Sequence, residues 1–235
     1  MGVTILQAYP VPHDKTAAQA IEIIQKRIIN LGAKHTGQFL VDCETYISNP
    51  TLGKLIICRD HWSHFAHVNI LDILGNKFLY ILHNSEQPST VFSVLENPER
   101  RITFTSDTLF DLLLLKLSNV YSKKLRIEAK GPRFEIGDFL VKLGLVSVAG
   151  SCKGILVEVE YLPCQVISSC WGLVTEFMQG FLGSVVSNQV PPYLKPKLND
   201  NYTPVDTIHQ YLEHFNVLRK GGNPNQLHQV NPQQQ

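Results

Sequence analysis

This sequence of 235 residues is notable first for the catalytic signatures it lacks. It has no Gly-x-Ser-x-Gly elbow, no phosphate-binding loop and no dinucleotide glycine fingerprint, which leaves the common hydrolase, nucleotidase and dehydrogenase chemistries without their usual residues. It has no apolar run long enough to cross a bilayer, which takes about 20 residues; Leu112-Leu-Leu-Leu115 is far too short. The opening MGVTILQAYPVPHD carries neither a basic stretch nor a long apolar one, so no secretory leader is expected. Gly2 is not followed by the Ser or Thr at position 6 that myristoylation requires. Neither charge sign is in excess: 21 Lys and Arg against 20 Asp and Glu give a net charge of +1, unlike the basic footprint of a protein that grips phosphates. The five cysteines form no Cys-x-x-Cys pair, and their odd number argues for free thiols in a reducing compartment rather than a disulfide framework. Asn201-Tyr-Thr203 is a glycosylation sequon in form, but without a leader it should not meet the transferase.

What is present is enough apolar material, 44%, for a sizeable core. Residues 3–8 read as an opening strand stopped by Pro10 and Pro12. Asp14 is a candidate cap for a helix whose stripe is Ile21, Ile24, Ile28 and Leu31, with Gly32 as its stop. Strands are expected at 38–47, 78–82, 90–95 and 101–105, with a hairpin loop at 83–89. Ser106 is a candidate cap for a second helix, with Leu109, Leu112, Leu113 and Lys116 setting its period. Residues 124–130 alternate cleanly, Gly131-Pro132 reads as a turn, and 134–148 reads as one long strand with Gly137 and Gly144 inside it. Residues 154–161 and 164–167 read as further strands.

The last third changes character. Ser168 or Ser169 is a candidate cap for a helix bearing Trp171, Val174, Phe177, Met178 and Phe181, ended by Gly183. A proline-bearing connector covers 184–203. Thr203 as cap and Pro204 at the first helical position start a final helix, whose apolar face is Ile208, Tyr211, Leu212, Phe215 and Leu218. The Asn/Gln/Pro-rich tail 220–235 is expected to be disordered. Strands do not alternate regularly with helices, so the expected class is mainly β with flanking helices (α+β): a curled antiparallel sheet or β-barrel with helices packed outside.

Several short segments carry a resemblance: Met1-Gly-Val-Thr4, Val41-Asp-Cys-Glu-Thr-Tyr46, Leu82-His-Asn-Ser-Glu86, Asp138-Phe-Leu-Val-Lys142 and Val157-Glu-Val-Glu-Tyr161, followed by Pro163-Cys164 and Cys170-Trp171. In this order and spacing they resemble the Mediator subunit 20 family, over residues 1–48, 77–183 and 202–219. The resemblance implies a barrel related to that of Mediator subunit 18. It also implies a nuclear, non-enzymatic coactivator subunit in RNA polymerase II transcription that pairs with Mediator subunit 18 and docks through subunit 8. Such a protein would reach promoters through protein contacts. Residues 52–76 depart from the family and read as an inserted loop within a single domain spanning 1–219. The resemblance singles out no partner-binding residue and implies no cofactor.

A few residues invite chemistry. Glu158 and Glu160 fall on one face of a strand, about 7 Å apart, and in a barrel lumen could hold a divalent metal as in tunnel-type triphosphatases. That alternative wants a Lys two positions on, where Leu162 stands, and a second Glu-x-Glu pair, where the chain has Glu128-Ala-Lys130. The plainer expectation is a solvated face, with Val157, Val159 and Tyr161 pointing at the core. Cys58, His61, His64 and His67 have gaps compatible with zinc ligands but no partner pair at finger spacing, and read as part of the insertion. Cys43, between Asp42 and Glu44, has no electropositive setting to make a thiolate. His83 reads as a loop residue rather than a base, and the aromatic face of the third helix reads as core.

Overall fold

The structure, a computed structural model, describes residues 2–12, 14–49, 78–96 and 100–220. The expected insertion at 52–76, with its Cys58–His67 cluster, and the tail from 221 lie outside the described residues. Among those described are eight strands: β1 Val3–Tyr9, β2 Lys34–Ser48, β3 Phe78–Asn84, β4 Val91–Glu96, β5 Arg101–Ser106, β6 Tyr121–Ile136, β7 Phe139–Val148 and β8 Ser151–Tyr161. Four α-helices accompany them: α1 Ala17–Asn30, α2 Leu109–Lys116, α3 Ile167–Leu182 and α4 Pro204–Arg219. The strand order is β1-β8-β7-β6-β2-β3-β4-β5. The β1–β8, β8–β7, β7–β6, β3–β4 and β4–β5 pairs are antiparallel. The mainly antiparallel sheet with flanking helices is the class the sequence indicates.

The described residues divide into two compact units, one of those up to 41 and from 127 onward, the other of those between 42 and 126. In the first unit, the sheet is covered on both faces. Val3, Ile5, Phe134, Val141, Leu143, Ile155, Val157 and Val159 meet Ile24 and Ile28 of α1 and Ile167, Val174, Met178 and Phe181 of α3 in one core. Helix α4 meets β1 and β8 from the other side, through Gln210 at Thr4 and Leu6 and through Tyr211 at Glu158. In the second unit Leu79, Ile81, Val91 and Leu114 form a smaller core with Tyr46, Leu95, Phe110 and Tyr121 around it.

Several local expectations are corrected. Helix α1 is capped by Thr16, not Asp14: the Thr16 side chain accepts from the Gln19 N–H while Gln19 reaches back to the Thr16 N–H, a complete capping box. Leu31, expected on the buried stripe, is the C-cap and half exposed. Ser106 belongs to β5, and the Leu109 N–H at the start of α2 is taken by Asp107 Oδ1. Helix α3 starts from Val166 without a side-chain cap, leaving Ser168 and Ser169 inside its first turn. Residues 164–167 make no strand, only a single bridge from Val166 to Asn201.

The Gly131-Pro132 step is not a turn; β6 runs through it. Gly131 is there because the backbone of β7 approaches closely: a Cβ would stand 2.0 Å from the Leu143 carbonyl oxygen. The turn comes instead at Gly137-Asp138, where Gly137 takes φ +55° and the chain folds back from β6 into β7. What reads as one strand over 134–148 is therefore the end of one strand and the whole of the next.

Candidate functional site

Glu158 and Glu160 sit on β8 as the sequence indicates, but the solvated face is a correction: both are buried, together with Val157 and Val159. The reason is α4, which closes that face. Lys142 is the direct antiparallel partner of Glu158 in the β7–β8 register, and its ammonium lies 2.9 Å from Glu158 Oε1 with both side chains about 3% exposed. The other oxygen of Glu158 accepts the hydroxyl of Tyr211 from α4. The Phe39 ring stands 5.8 Å from the Lys142 ammonium and adds a cation–π contact. Glu160 Oε1 accepts the Gly2 N–H at 2.7 Å. A buried charge must be paired and hydrogen-bonded, and here the sheet register and the last helix supply both.

Beside this pair, Gln210 reaches from α4 to β1. Its amide nitrogen donates to the Thr4 carbonyl at 2.7 Å and to the Tyr202 hydroxyl, and its oxygen accepts the Leu6 N–H at 3.1 Å. Strand β1 ends the strand order, so these two backbone groups face away from β8 and need another partner. Gln210 plays the part of a missing neighbouring strand. The Tyr202 hydroxyl, accepting from Gln210, bonds onward to Thr207 at 2.8 Å. Burial above all pushes the Tyr202 phenol well above its ordinary pKa and keeps it neutral.

This arrangement does not make a metal cradle. Each oxygen of Glu158 is engaged within the fold, as is Oε1 of Glu160, and among the described residues no three His, Cys, Asp or Glu side chains are placed to hold a metal ion. A hard divalent cation wants six or more oxygen ligands, and Lys142 occupies the position where one would sit. What the network does is hold β1, β7, β8 and α4 in one register.

In the second unit His83, expected in a loop, is instead in β3, opposite Val91 of β4. Its Nε2 lies 3.1 Å from Asp111 of α2 and its Nδ1 3.5 Å from Asp42 of β2. Arg126 closes on the other oxygen of Asp42 at 2.9 Å. The hydrogen bond to Asp42 is the main influence raising the His83 pKa above its usual 6.5; burial opposes it, and the Asp42 and Asp111 charges reinforce it. The folded state therefore binds this proton more tightly than the unfolded chain does. The stabilisation is complete below about pH 6.5 and is lost as pH rises through the raised value. His83→Gln is accordingly expected to destabilise most in mildly acidic buffer, the gap closing towards alkaline pH. Urea melts of both proteins across that range measure it, and a gap that widens with pH would contradict the assignment.

The same unit carries an exposed apolar face. Leu109, Leu112, Leu113 and Leu115 of α2 are 47–71% exposed, and Phe104 of β5 beside them is 38% exposed. Leu109, Leu112 and Leu113, which set the period in the sequence, do not face the core: Leu114 is the buried residue, with Phe110 packed at the edge of the core. Phe110 and Leu114 are one turn apart and share a face, which turns the remaining leucines outward. In LFDLLLLK apolar residues lie all round the helix, so periodicity offers no preferred direction.

The other candidates take structural places. Cys43 is buried in β2. Val174, Met178 and Phe181 are core, Phe177 stacks on Phe139 with centroids 4.0 Å apart, and the Trp171 indole donates to the Asn188 carbonyl.

Comparison with known proteins gives a consistent result. Residues 1–216 match the family described as the TATA-binding related factor of subunit 20 of the Mediator complex. The chain is 50% identical to Mediator of RNA polymerase II transcription subunit 20 of Aedes aegypti, over 95% of this chain and 97% of that one. It is 48% identical to the Anopheles gambiae protein of the same name, over 94% and 95% of the two chains. The Drosophila melanogaster protein of that name is 40% identical, over 94% of this chain and 87% of its own.

Proposed function

This chain belongs to the family of subunit 20 of the Mediator complex, and from that premise we propose that it is a non-enzymatic subunit of the Mediator coactivator, acting in the nucleus in regulated transcription by RNA polymerase II. Its work is to hold other subunits: it pairs with Mediator subunit 18 and docks through subunit 8. The observation that carries this reading is the leucine face of α2. Four leucines exposed by about half or more on one eight-residue helix are costly in water, and covering what each still exposes would return about 1–2 kcal/mol. Strand β5 stands at the end of the strand order beside that helix, so a partner can meet an apolar surface and a strand edge together. The engagement of Glu158 and Glu160 within the fold supports the non-enzymatic part of the reading.

Size-exclusion chromatography of the chain mixed with Mediator subunit 18 tests the proposal. The wild type should co-elute. Leu112→Asp with Leu115→Asp, both at exposed positions, should leave the circular-dichroism spectrum unchanged and weaken binding roughly 100-fold or more, equivalent to about 2.7 kcal/mol. Separate elution of the wild type at micromolar concentrations would remove the pairing. Unimpaired binding by the double variant would move the interface off α2.

A further inference from the structure

Two thiols stand together between β8 and α3, outside everything used above. Cys164 Sγ lies 3.2 Å from the Val166 carbonyl oxygen, and Cys170 Sγ lies 3.6 Å from the same oxygen. Cys164 is half-buried and Cys170, in the first turns of α3, is buried. The backbone around them is pinned on several sides. Val3 N–H donates to the Cys164 carbonyl at 2.9 Å, Tyr202 N–H to that of Gln165 at 2.7 Å, and Ser168 N–H to that of Leu198 at 2.9 Å. The two sulfurs thus gather at one carbonyl oxygen, on a stretch of backbone that these bonds hold. The other described cysteines are apart from them: Cys43 is fully buried in β2 and Cys152 is exposed on β8.

We propose that Cys164 and Cys170 form a redox-sensitive dithiol that a hydroperoxide converts into an intramolecular disulfide fastening the segment after β8 to the start of α3. The less buried of the two cysteines, Cys164, reacts first. Cys164, as thiolate, attacks one oxygen of hydrogen peroxide; an S–O bond forms, the O–O bond breaks, and the departing hydroxide leaves as water after taking a proton. Cys164 is now a sulfenic acid, oxidised by two electrons. The Cys170 sulfur then attacks the Cys164 sulfur; the S–S bond forms, the S–O bond breaks, and the hydroxyl leaves with the Cys170 proton as a second water. The sum is two thiols and one peroxide giving one disulfide and two waters. Burial first, then the hydrogen bond and charge of Cys164, push the Cys170 thiol up to about 12, which fits it to resolve rather than to initiate.

The purified full chain, reduced and then exposed to a small excess of hydrogen peroxide, should be alkylated with iodoacetamide under denaturing conditions and digested with trypsin. Both cysteines fall in one peptide after Lys153, ending at Lys197 because Lys195 precedes a proline. That peptide should lose both alkyl groups and weigh two hydrogens less, and dithiothreitol should reverse the change while Cys43 stays alkylated throughout. In Cys170→Ser, Cys164 should stop at the sulfenic acid and be captured by dimedone. A wild-type peptide that remains doubly alkylated while Cys152 is oxidised would overturn the proposal. So would passage of Cys164 to sulfinic or sulfonic acid with no internal link. The wild-type measurement stands by itself if the serine variant fails to fold.

Discussion

Lys142→Ala should lower the stability of this protein by about 3–5 kcal/mol, because it strands the Glu158 carboxylate in a closed interior. In the wild type that carboxylate has the Lys142 ammonium at 2.9 Å on one oxygen and the Tyr211 hydroxyl on the other. Removing the lysine leaves one neutral donor for a full charge on a face that α4 seals. The pair itself is a different quantity. Desolvating two ions costs several kcal/mol each, so a chain with Lys142→Met and Glu158→Gln together should recover most of the loss. Urea unfolding of the wild type, Lys142→Met, Glu158→Gln and the double variant closes the cycle, and a coupling well above 1 kcal/mol is expected. If Lys142→Ala costs less than about 1 kcal/mol, the surface-pair value, water reaches this face and α4 does not seal it.

The same residues show where reading the sequence stops. The alternation Val157-Glu-Val-Glu-Tyr161 correctly places both glutamates on one face. It cannot tell whether that face is wet, because the answer depends on a helix some fifty positions later and on the lysine of a neighbouring strand. A charged alternating strand ordinarily means solvent; here it means an internal pair. Helix α4 was legible for the opposite reason. Thr203, Pro204 and Asp206 are neighbours in the chain, and the capping box they form is a local interaction that needs no tertiary context. Helix α1 was legible in its body, but its start lay with Thr16 and Gln19, a capping-box spacing overshadowed by the nearby aspartate.

The hairpin between β6 and β7 was missed because Gly-Pro is a strong turn signal and Gly-Asp a weaker one. The Gly131 signal came from close backbone approach, which composition alone does not distinguish from a turn. The leucine face of α2 could not be assigned from period, since a helix apolar all round has no direction until Phe110 and Leu114 commit to a core. The family resemblance was available throughout, because it rests on the order of short segments rather than on tertiary contacts. It is also the reason the family was legible while the exposure of the α2 leucines was not.

Gln210→Ala should be nearly as damaging as the loss of Lys142, although it removes no charge. The side chain serves three buried groups at once: the Thr4 carbonyl, the Leu6 N–H and the Tyr202 hydroxyl. Truncation leaves the two backbone groups of β1 without a protein partner on the side away from β8, at roughly 1–3 kcal/mol each. An expected total of about 3–5 kcal/mol follows when the cavity left by the amide is included. Gln210→Glu separates the two halves of the role. A carboxylate still accepts from Leu6 but cannot donate to Thr4, and it stands unpaired in a closed site, so it should be at least as destabilising at neutral pH. Once protonated it regains a donor, so its deficit should shrink in acid, opposite to the trend for His83→Gln. Chemical denaturation of both variants at neutral and acidic pH, with amide exchange read at Leu6, makes the measurement. A Gln210→Ala chain within about 1 kcal/mol of wild type, with Leu6 still protected, would mean that β1 finds another partner for its outer edge and that α4 is not what completes the sheet.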